Sequence, residues 1–550
     1  MKKIFVITDF NSDTFVRLLN AKSTNDYSFI GSEFDQVYQS LETKKSFHSS
    51  VIWTRPEMVI PSFNKLVNLE KIEFKTCIEE VDRFAENVIK FSTRVNNIFI
   101  SSWVYDLEDQ LFGMIDWKPN IGIQNLVAMM NLRIAEKFED CNNIHILDAN
   151  KWFYFVERPY SPKMWFAAKV PFSNTLFQKS AEDIFSALNA VSGMSKKLIV
   201  LDLDNTLWGG VVGENSWEGI TLGGHDFKGE AYVDFQKNLK RLTLRGIQLA
   251  ILSKNDESVA LDAIKNHPEM HLKIDDFSGW RINWNDKAEN LIDLINEINL
   301  GLDSVVFLDD NPAERERIKN AFPDVLVPDL TEDVTSYSKI LNSLNCFNTI
   351  SITDEDKRRT QMYATQLKRN KSMEMIASKD DWLKTLDTSL KVEKINKANT
   401  KRITQLFNKT NQLNLSTRRL SESEILDFAK IDNNEIITFN LTDSFGSMGL
   451  VGIVGISVKN SHGKIIDFIL SCRAMGRGVE KAMFLIAGTE LQRMGAKKII
   501  AEYIKTERNR PTLEVLENMN FERNDNIFFL PNNIDTLHDK NINIDFNFYD

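Results

Sequence analysis

Three short apolar runs constrain this chain most: KLIVLDL (197–203), IQLAILS (247–253) and DSVVFLDD (303–310), separated by helical segments. Runs of this length with almost no alternation are strands buried on both faces. Helices between them make the strands parallel, in an open doubly wound sheet. Ligands of such a sheet bind beyond the carboxyl ends of its strands. Asp202, Ser253 and Asp309 all stand at those ends.

Acids at i and i+2 of an extended segment share a face, so Asp202 and Asp204 can converge on one small volume. Two such charges repel unless a divalent cation holds them ionised. Asp309 and Asp310 arrive from a second strand end and complete an oxygen cage. The expected occupant is Mg²⁺, ligated by Asp202, Asp204, Asp309 and Asp310, with water and a substrate phosphate completing its shell. Ser253 is expected to hydrogen-bond a phosphate oxygen. Lys287, which opens the helical segment DKAENLIDLINEI, is expected to neutralise a phosphoryl group in transfer. Neighbouring Asn205, Thr206, Lys254 and Asn255 are expected to contact the substrate. With a carboxylate nucleophile the chemistry is phosphoaspartyl: Asp202 attacks phosphorus and Asp204 is the acid and base.

Spacing bears on the substrate, a small phosphorylated metabolite. Between Asp204 and Ser253 lie 48 residues, an interval in which the sheet itself requires the helix EAYVDFQKNLKRL; between Lys287 and Asp309 lie only 21. A folded cap domain does not fit in either interval, so the pocket is expected to be open to a bulky or tethered substrate.

A chain of 550 residues exceeds a single core. Residues 1–185 alternate strand-like runs (IFVITDF, SVIWTR, NNIFISSW, NIHILDA) with helical stretches and predict a first α/β domain. The second domain is placed at 195–350. A polar, charge-rich helical connector follows at 351–384, its charges read as a solvated face. Residues 385–535 mix strands and helices and predict an α+β domain.

A net charge of −10 argues against a general nucleic-acid binder. The opening MKKIFVITDFN is interrupted by Asp9, and no stretch approaches about 18 apolar residues, so neither a signal peptide nor a membrane span is expected. Cys77, Cys141, Cys346 and Cys472 lack CxxC spacing; a reduced, soluble, cytoplasmic protein without disulfides or zinc is the expectation. Between 391 and 530 there are 21 Lys and Arg against 16 Asp and Glu, a local excess of five. A positive face there would steer in an acidic partner; an ordinary mixed surface is the alternative.

DLDNT (202–206), ILSKND, Lys287 and FLDDNP together resemble, in order, the four motifs of the haloacid dehalogenase (HAD) superfamily. VLDLDNTLWGGVVGE, GEAYVDFQ, LSKND, LDDNPAERE, TNQLNLSTRR, GLVGIVG and SCRAMGRGVE narrow the resemblance to the FkbH-like family, HAD subfamily IIIC, from VIWTRPE in the first strands to about residue 523. That resemblance implies an α/β multidomain protein: an SGNH-hydrolase-like, flavodoxin-type first domain, a HAD Rossmann-like domain without a large cap, and a GNAT-like α+β acyltransferase domain. It also implies an activity, conversion of the phosphoglyceryl donor 1,3-bisphosphoglycerate to a glyceryl thioester loaded onto an acyl carrier protein for polyketide-type assembly. The other reading is a Mg²⁺-dependent HAD phosphatase of a small phosphoester fused to a coenzyme-A-dependent acyltransferase, in surface-glycan or secondary metabolism.

RAMGRG (473–478) resembles the R/Q-x-x-G-x-G/A loop of GNAT enzymes. Arg473, Gly476, Arg477 and Gly478 are then expected to hold the pyrophosphate or phosphate of a phosphopantetheine-bearing cofactor, whose thiol belongs to a carrier protein or coenzyme A. A plain glycine turn before a helix fits the same letters. Cys472 stands at the strand end where a GNAT fold would deliver a pantetheine thiol, and is either a transient acyl acceptor or a small buried apolar residue. The first domain departs from its resemblance: TDFNSD has Phe10 where a catalytic serine would stand, and LDANKWFYFVERPYSPKMW has no histidine. An esterase triad is not expected there, and Asp9 and Asn11 are left as candidates for polar contacts. His225 is expected in an exposed loop.

Overall fold

The computed structural model describes residues 1–550 except 24–25, 106–111, 299, 351, 353–377, 411, 507–508, 520, 532, 538–539 and 547–550; the side chains at 215, 379, 380, 409, 472 and 546 are also outside the description. The expected connector at 351–384 therefore lies outside the described residues except at 352 and from 378 onward, where a helix spans Lys379–Thr385. The chain divides into two compact units, Met1–Leu188 and Asn189–Asp550. The second and third expected domains thus fall together in one unit.

The first unit is built on a parallel five-stranded sheet: β1 (Lys2–Thr8), β2 (Tyr27–Gly31), β3 (Ser49–Trp53), β4 (Asn97–Ser101) and β5 (Ile144–Leu147), in the order β2-β1-β3-β4-β5. This is the flavodoxin-type order. Its longest helix, Phe74–Ser92, buries Cys77, Val81, Phe84, Ala85, Val88 and Phe91, a 3.6-residue stripe. Phe10, where a serine nucleophile would stand, is a core residue, its ring against Trp53, Phe172 and Phe177.

In the second unit, β6 (Leu198–Leu201), β7 (Gln248–Ser253), β8 (Phe277–Ile282) and β9 (Val305–Leu308) form a parallel sheet ordered β8-β7-β6-β9. Every residue of β6, β7 and β9 is buried, as uninterrupted apolar runs require. The order reverses between β6 and β9, so the residues following these two strands flank the switch point. The helices that follow β6, β7 and β9 carry side-chain caps: Asp226 accepts from the Lys228 and Gly229 amides at helix Phe227–Thr243, Asp256 from Ser258 and Val259 at Glu257–Asn266, and Asn311 from Ala313 at Pro312–Ala321. Between β6 and helix Phe227–Thr243, residues 206–226 form a short flap pinned by the Gly209↔Thr221 bridge.

The same unit carries an eight-stranded sheet: β10 (Thr388–Lys394), β11 (Asn434–Asp443), β12 (Gly446–Lys459), β13 (His462–Leu470), β14 (Lys498–Glu502), β15 (Glu522–Asn524), β16 (Ile527–Phe529) and β17 (Ile542–Phe546), ordered β15-β16-β14-β13-β12-β11-β10-β17. Its pairs are antiparallel except β13 with β14 and β10 with β17. Strand β17 corrects the expected end of this region at 535, because β10 needs a partner on its outer edge and finds it there. Helix Val479–Arg493 lies in the core against this sheet, Phe484 stacked on Phe468. Among the described residues no helix is long and apolar enough to cross a membrane.

Candidate active site

The strand ends of β6 and β9 bring three carboxylates together. Asp202, Asp309 and Asp310 each offer an oxygen within 4.8 Å of the others. The buried Lys287 ammonium, at the start of helix Lys287–Ile298, lies 2.6 Å from Asp309 Oδ2 and 3.1 Å from Asp202 Oδ2. The other oxygen, Asp202 Oδ1, is buried and receives no hydrogen bond. A buried carboxylate oxygen without a donor is costly unless something positive meets it. Three converging hard oxygens, one from each carboxylate, fit Mg²⁺ in ligand type.

Burial, followed by the charge of Asp202, raises the Asp309 pKa to about 6 against the pull of Lys287. The same two causes raise Asp310. Burial disfavours the Lys287 ammonium, yet Asp202 and Asp309 hold its pKa above the ordinary lysine range. Thr206 secures Asp310 twice: its Oγ1 accepts from the Asp310 amide at 3.0 Å and donates to Asp310 Oδ1 at 3.3 Å.

Asp204 stands apart from this cluster. Its Oδ1 accepts from Trp208 Nε1 (2.9 Å) and the Val212 amide (3.1 Å), and its Oδ2 from Asn255 Nδ2 (2.9 Å). Of the four carboxylates expected to hold a metal, Asp202, Asp309 and Asp310 converge, while Asp204 is engaged by Trp208, Val212 and Asn255. Asn205 has φ 55°, its carbonyl accepts from the hydroxyls of Tyr232 and Tyr337 at 3.2 Å each, and its Oδ1 accepts from the Gly210 amide. Three donors therefore set the turn and three set the carboxylate. Neither Trp208 nor the tyrosines were singled out in the sequence; the adjacency of Trp208 to DLDNT was the only available signal.

Ser253, buried at the end of β7, has its Oγ 3.3 Å from Asn255 Nδ2. Asn255, expected on the substrate, holds Asp204 and Ser253 instead. Lys254 pairs with Glu314 at 2.6 Å. His225 is in an exposed loop with φ 63°.

The glycine loop of the third region departs further from expectation. Gly476 (φ 72°) and Gly478 (φ 84°) adopt left-handed backbone, and Gly478 caps helix Val479–Arg493. Arg477, expected at a pyrophosphate, is 3% exposed with Nη1 3.1 Å from Asp443 Oδ2. It is a buried ion pair, because the alternation of the turn points it inward. Arg473 Nε donates to Ser471 Oγ at 3.4 Å. Cys472 begins a 3₁₀ turn, Cys472–Ala474, after β13; its side chain is among those outside the description. The free thiols Cys77, Cys141 and Cys346 all have pKa values raised chiefly by burial, Cys77 to about 11 and Cys346 to about 12, which leaves them protonated at neutral pH.

In the first unit, Asp9 and Arg55 follow β1 and β3, the two strands at which the order reverses, and bind each other: Arg55 Nε to Asp9 Oδ2 at 2.8 Å, the Arg55 amide to Oδ1 at 3.0 Å. The guanidinium lies 4.3 Å from the Trp165 ring centroid. Asn11 Oδ1 accepts from the Asp13 amide.

No family model matches the chain, and no curated protein matches it. Among solved structures, it is similar to the N-terminal part of the protein BF1531 from Bacteroides fragilis, which contains a phosphatase domain and was crystallised with Mg: 25% identity, TM-score 0.58, 64% of this chain and 95% of that one covered. It also matches the ribosomal-protein-S18-alanine N-acetyltransferase of Escherichia coli (11% identity, TM-score 0.20, 24% and 79% covered) and the spermidine N-acetyltransferase of Vibrio cholerae, solved with CoA and spermine (15%, 0.21, 24% and 82%). At those two scores the third region is read from its own sheet.

Proposed function

We propose that this protein is a two-centre enzyme in which a HAD-type phosphatase site serves an acyl-transfer region. It converts 1,3-bisphosphoglycerate to a glyceryl thioester and loads it onto an acyl carrier protein. The observation that supports the phosphoryl half most directly is the convergence of Asp202, Asp309 and Asp310, with Lys287 against Asp202 Oδ2 and Asp309 Oδ2 and a buried Asp202 Oδ1 that receives no hydrogen bond. Asp202, Asp309 and Asp310 would hold Mg²⁺, which when bound offsets the phosphoryl charge near the carboxylates. The similarity to the magnesium-bound phosphatase-containing structure agrees with this reading.

Asp202 forms a bond to phosphorus as the bond from phosphorus to the substrate oxygen breaks, and Asp204 gives that oxygen its proton. Water then cleaves the aspartyl phosphate and returns a proton to Asp204. Lys287, 3.1 Å from Asp202 Oδ2, faces the transferred group and offsets its charge; Ser253 orients a phosphate oxygen. Trp208, Val212 and Asn255 fix the direction of Asp204, so the proton donor does not swing toward the triad.

The acyl half rests on the family resemblance. A thiolate at Cys472 displaces phosphate from the acyl phosphate; the resulting phosphoglyceryl thioester loses its remaining phosphate at the aspartates. The glyceryl group then passes to the carrier thiol, regenerating Cys472. The absence of a cap fold over the phosphoryl site suits a substrate tethered in this way.

The test is to incubate the protein with Mg²⁺, 1,3-bisphosphoglycerate and holo carrier proteins and follow intact masses. A glyceryl increment on a carrier is expected. Phosphate release with no increment on any carrier would instead favour a free-phosphoester phosphatase. Asp202→Asn is expected to lower phosphate release by at least about 10³-fold, as loss of a nucleophile does.

A further inference from the structure

Strands β13 and β14 pair in parallel only from His462↔Lys498 to Ile465↔Ala501. Beyond that, β13 continues to Leu470, paired with β12 on its other edge up to Gly452↔Leu470, while β14 ends at Glu502. Two parallel strands that stop pairing leave a gap with free backbone donors and acceptors along one edge. An extended polar chain such as pantetheine fits such a gap. It lies at the strand end where the glycine-loop resemblance puts the thiol arm.

The gap is already filled by the protein itself. Residues Leu413–Leu415 enter it as a short antiparallel strand: the Leu415 amide donates to the Phe468 carbonyl (3.0 Å), the Leu470 amide to the Leu413 carbonyl (3.0 Å), and the Ile504 amide, just past β14, to the Leu415 carbonyl (3.1 Å). The insert is pinned at its centre. The Asn414 amide donates to Thr512 Oγ1 at 3.0 Å, and its carbonyl accepts from Asn509 Nδ2 at 3.0 Å. Leu413, Asn414 and Leu415 are all fully buried.

The anion end of the same slot is filled as well. At the first turn of helix Val479–Arg493 the Gly476 amide, one of the donors a pyrophosphate would need, donates to Glu480 Oε1 at 2.6 Å. Glu480 is 7% exposed, so an incoming phosphate would have to displace a buried carboxyl group from the amide it needs. Arg477 is committed to Asp443.

We infer that the third region excludes coenzyme A from the cleft between β13 and β14, with Leu413–Leu415 and Glu480 as the specificity-determining elements. Any thiol that exchanges acyl groups here has to be presented from outside that cleft. The exclusion stands on the geometry alone and rests on the preceding reading only for naming the carrier as the source of that thiol.

The test titrates the full-length protein with coenzyme A and acetyl-coenzyme A by calorimetry and by amide hydrogen exchange. Exchange at 413–415 and 476–480 is expected to stay unchanged at millimolar cofactor. Faster exchange at 413–415 together with protection at 476–480 would overturn the inference. A Glu480→Ala, Thr512→Val double variant, which frees the Gly476 donor and loosens the insert, is expected to gain affinity for coenzyme A by about tenfold or more, the worth of one hydrogen bond to a charged group. Equal affinity in a folded variant and the natural protein counts against the inference; if the variant does not fold, the exchange measurement on the natural protein decides. Absence of glyceryl loading with exchange unmoved sinks the earlier reading and leaves this one standing.

Discussion

Lys287 is the residue on which the phosphoryl site balances. Three carboxylates approach one another with this single ammonium between two of them, and the site is deep enough that solvent cannot screen them. Lys287→Met is expected to cost about 3–5 kcal/mol at pH 7, the penalty for stranding buried charge, read by urea unfolding without metal. The sign of the pH dependence follows from Asp309. Its folded pKa of about 6 lies above the ordinary 3.8, so between these values the folded state holds the extra proton. That contribution to stability is present in full below pH 3.8 and is lost as pH rises to about 6. Mg²⁺ replaces the proton, so its stabilisation is expected to be larger at pH 7 than at pH 5. Melting curves with and without Mg²⁺ at both values measure it, and an equal shift would mean that Asp309 is not a ligand.

At the scale of elements, the third sheet is held at its glycine loop by the buried pair Arg477–Asp443, which ties the start of helix Val479–Arg493 to the end of β11. Arg477→Ala removes the guanidinium that Asp443 faces and is expected to destabilise by about 3–5 kcal/mol, whereas Asp443→Asn with Arg477→Leu together should cost less. Denaturant midpoints of the two variants separate these outcomes. The strand character of the third region was legible from its alternating runs, and so was the helix after the glycines. The role of Arg477 was not: the letters RAMGRG are the same for an anion cradle and for a core ion pair, and only the position of Asp443 on a neighbouring strand separates them.

At the scale of the molecule, the proposal puts two chemistries on one chain and requires them to be separable by mutation. Cys472→Ser is expected to abolish glyceryl loading while Mg²⁺-dependent release from a generic phosphoester continues within about twofold, since on the proposed reading the aspartates act on a free phosphoester without the thiol. Intact mass and phosphate assays on the same sample give both readouts; unchanged loading would remove Cys472 from the mechanism. At the switch point of the first unit Phe10 stands where a catalytic serine would stand, and the Asp9–Arg55 pair lies under Trp165.

The strands and the ends at which Asp202, Ser253 and Asp309 stand followed from the sequence by itself, because a short, wholly apolar run has few places to go except the interior of a parallel sheet. The tertiary structure alone decided where each polar group spends its hydrogen bonds. Asp204 meets Asn255 across 51 residues and Thr206 meets Asp310 across 104. The insert at Leu413–Leu415 closes a cleft between strands far along the chain. Periodicity fixes the face a side chain occupies; its partners depend on which distant segments pack beside it, and no local pattern encodes that.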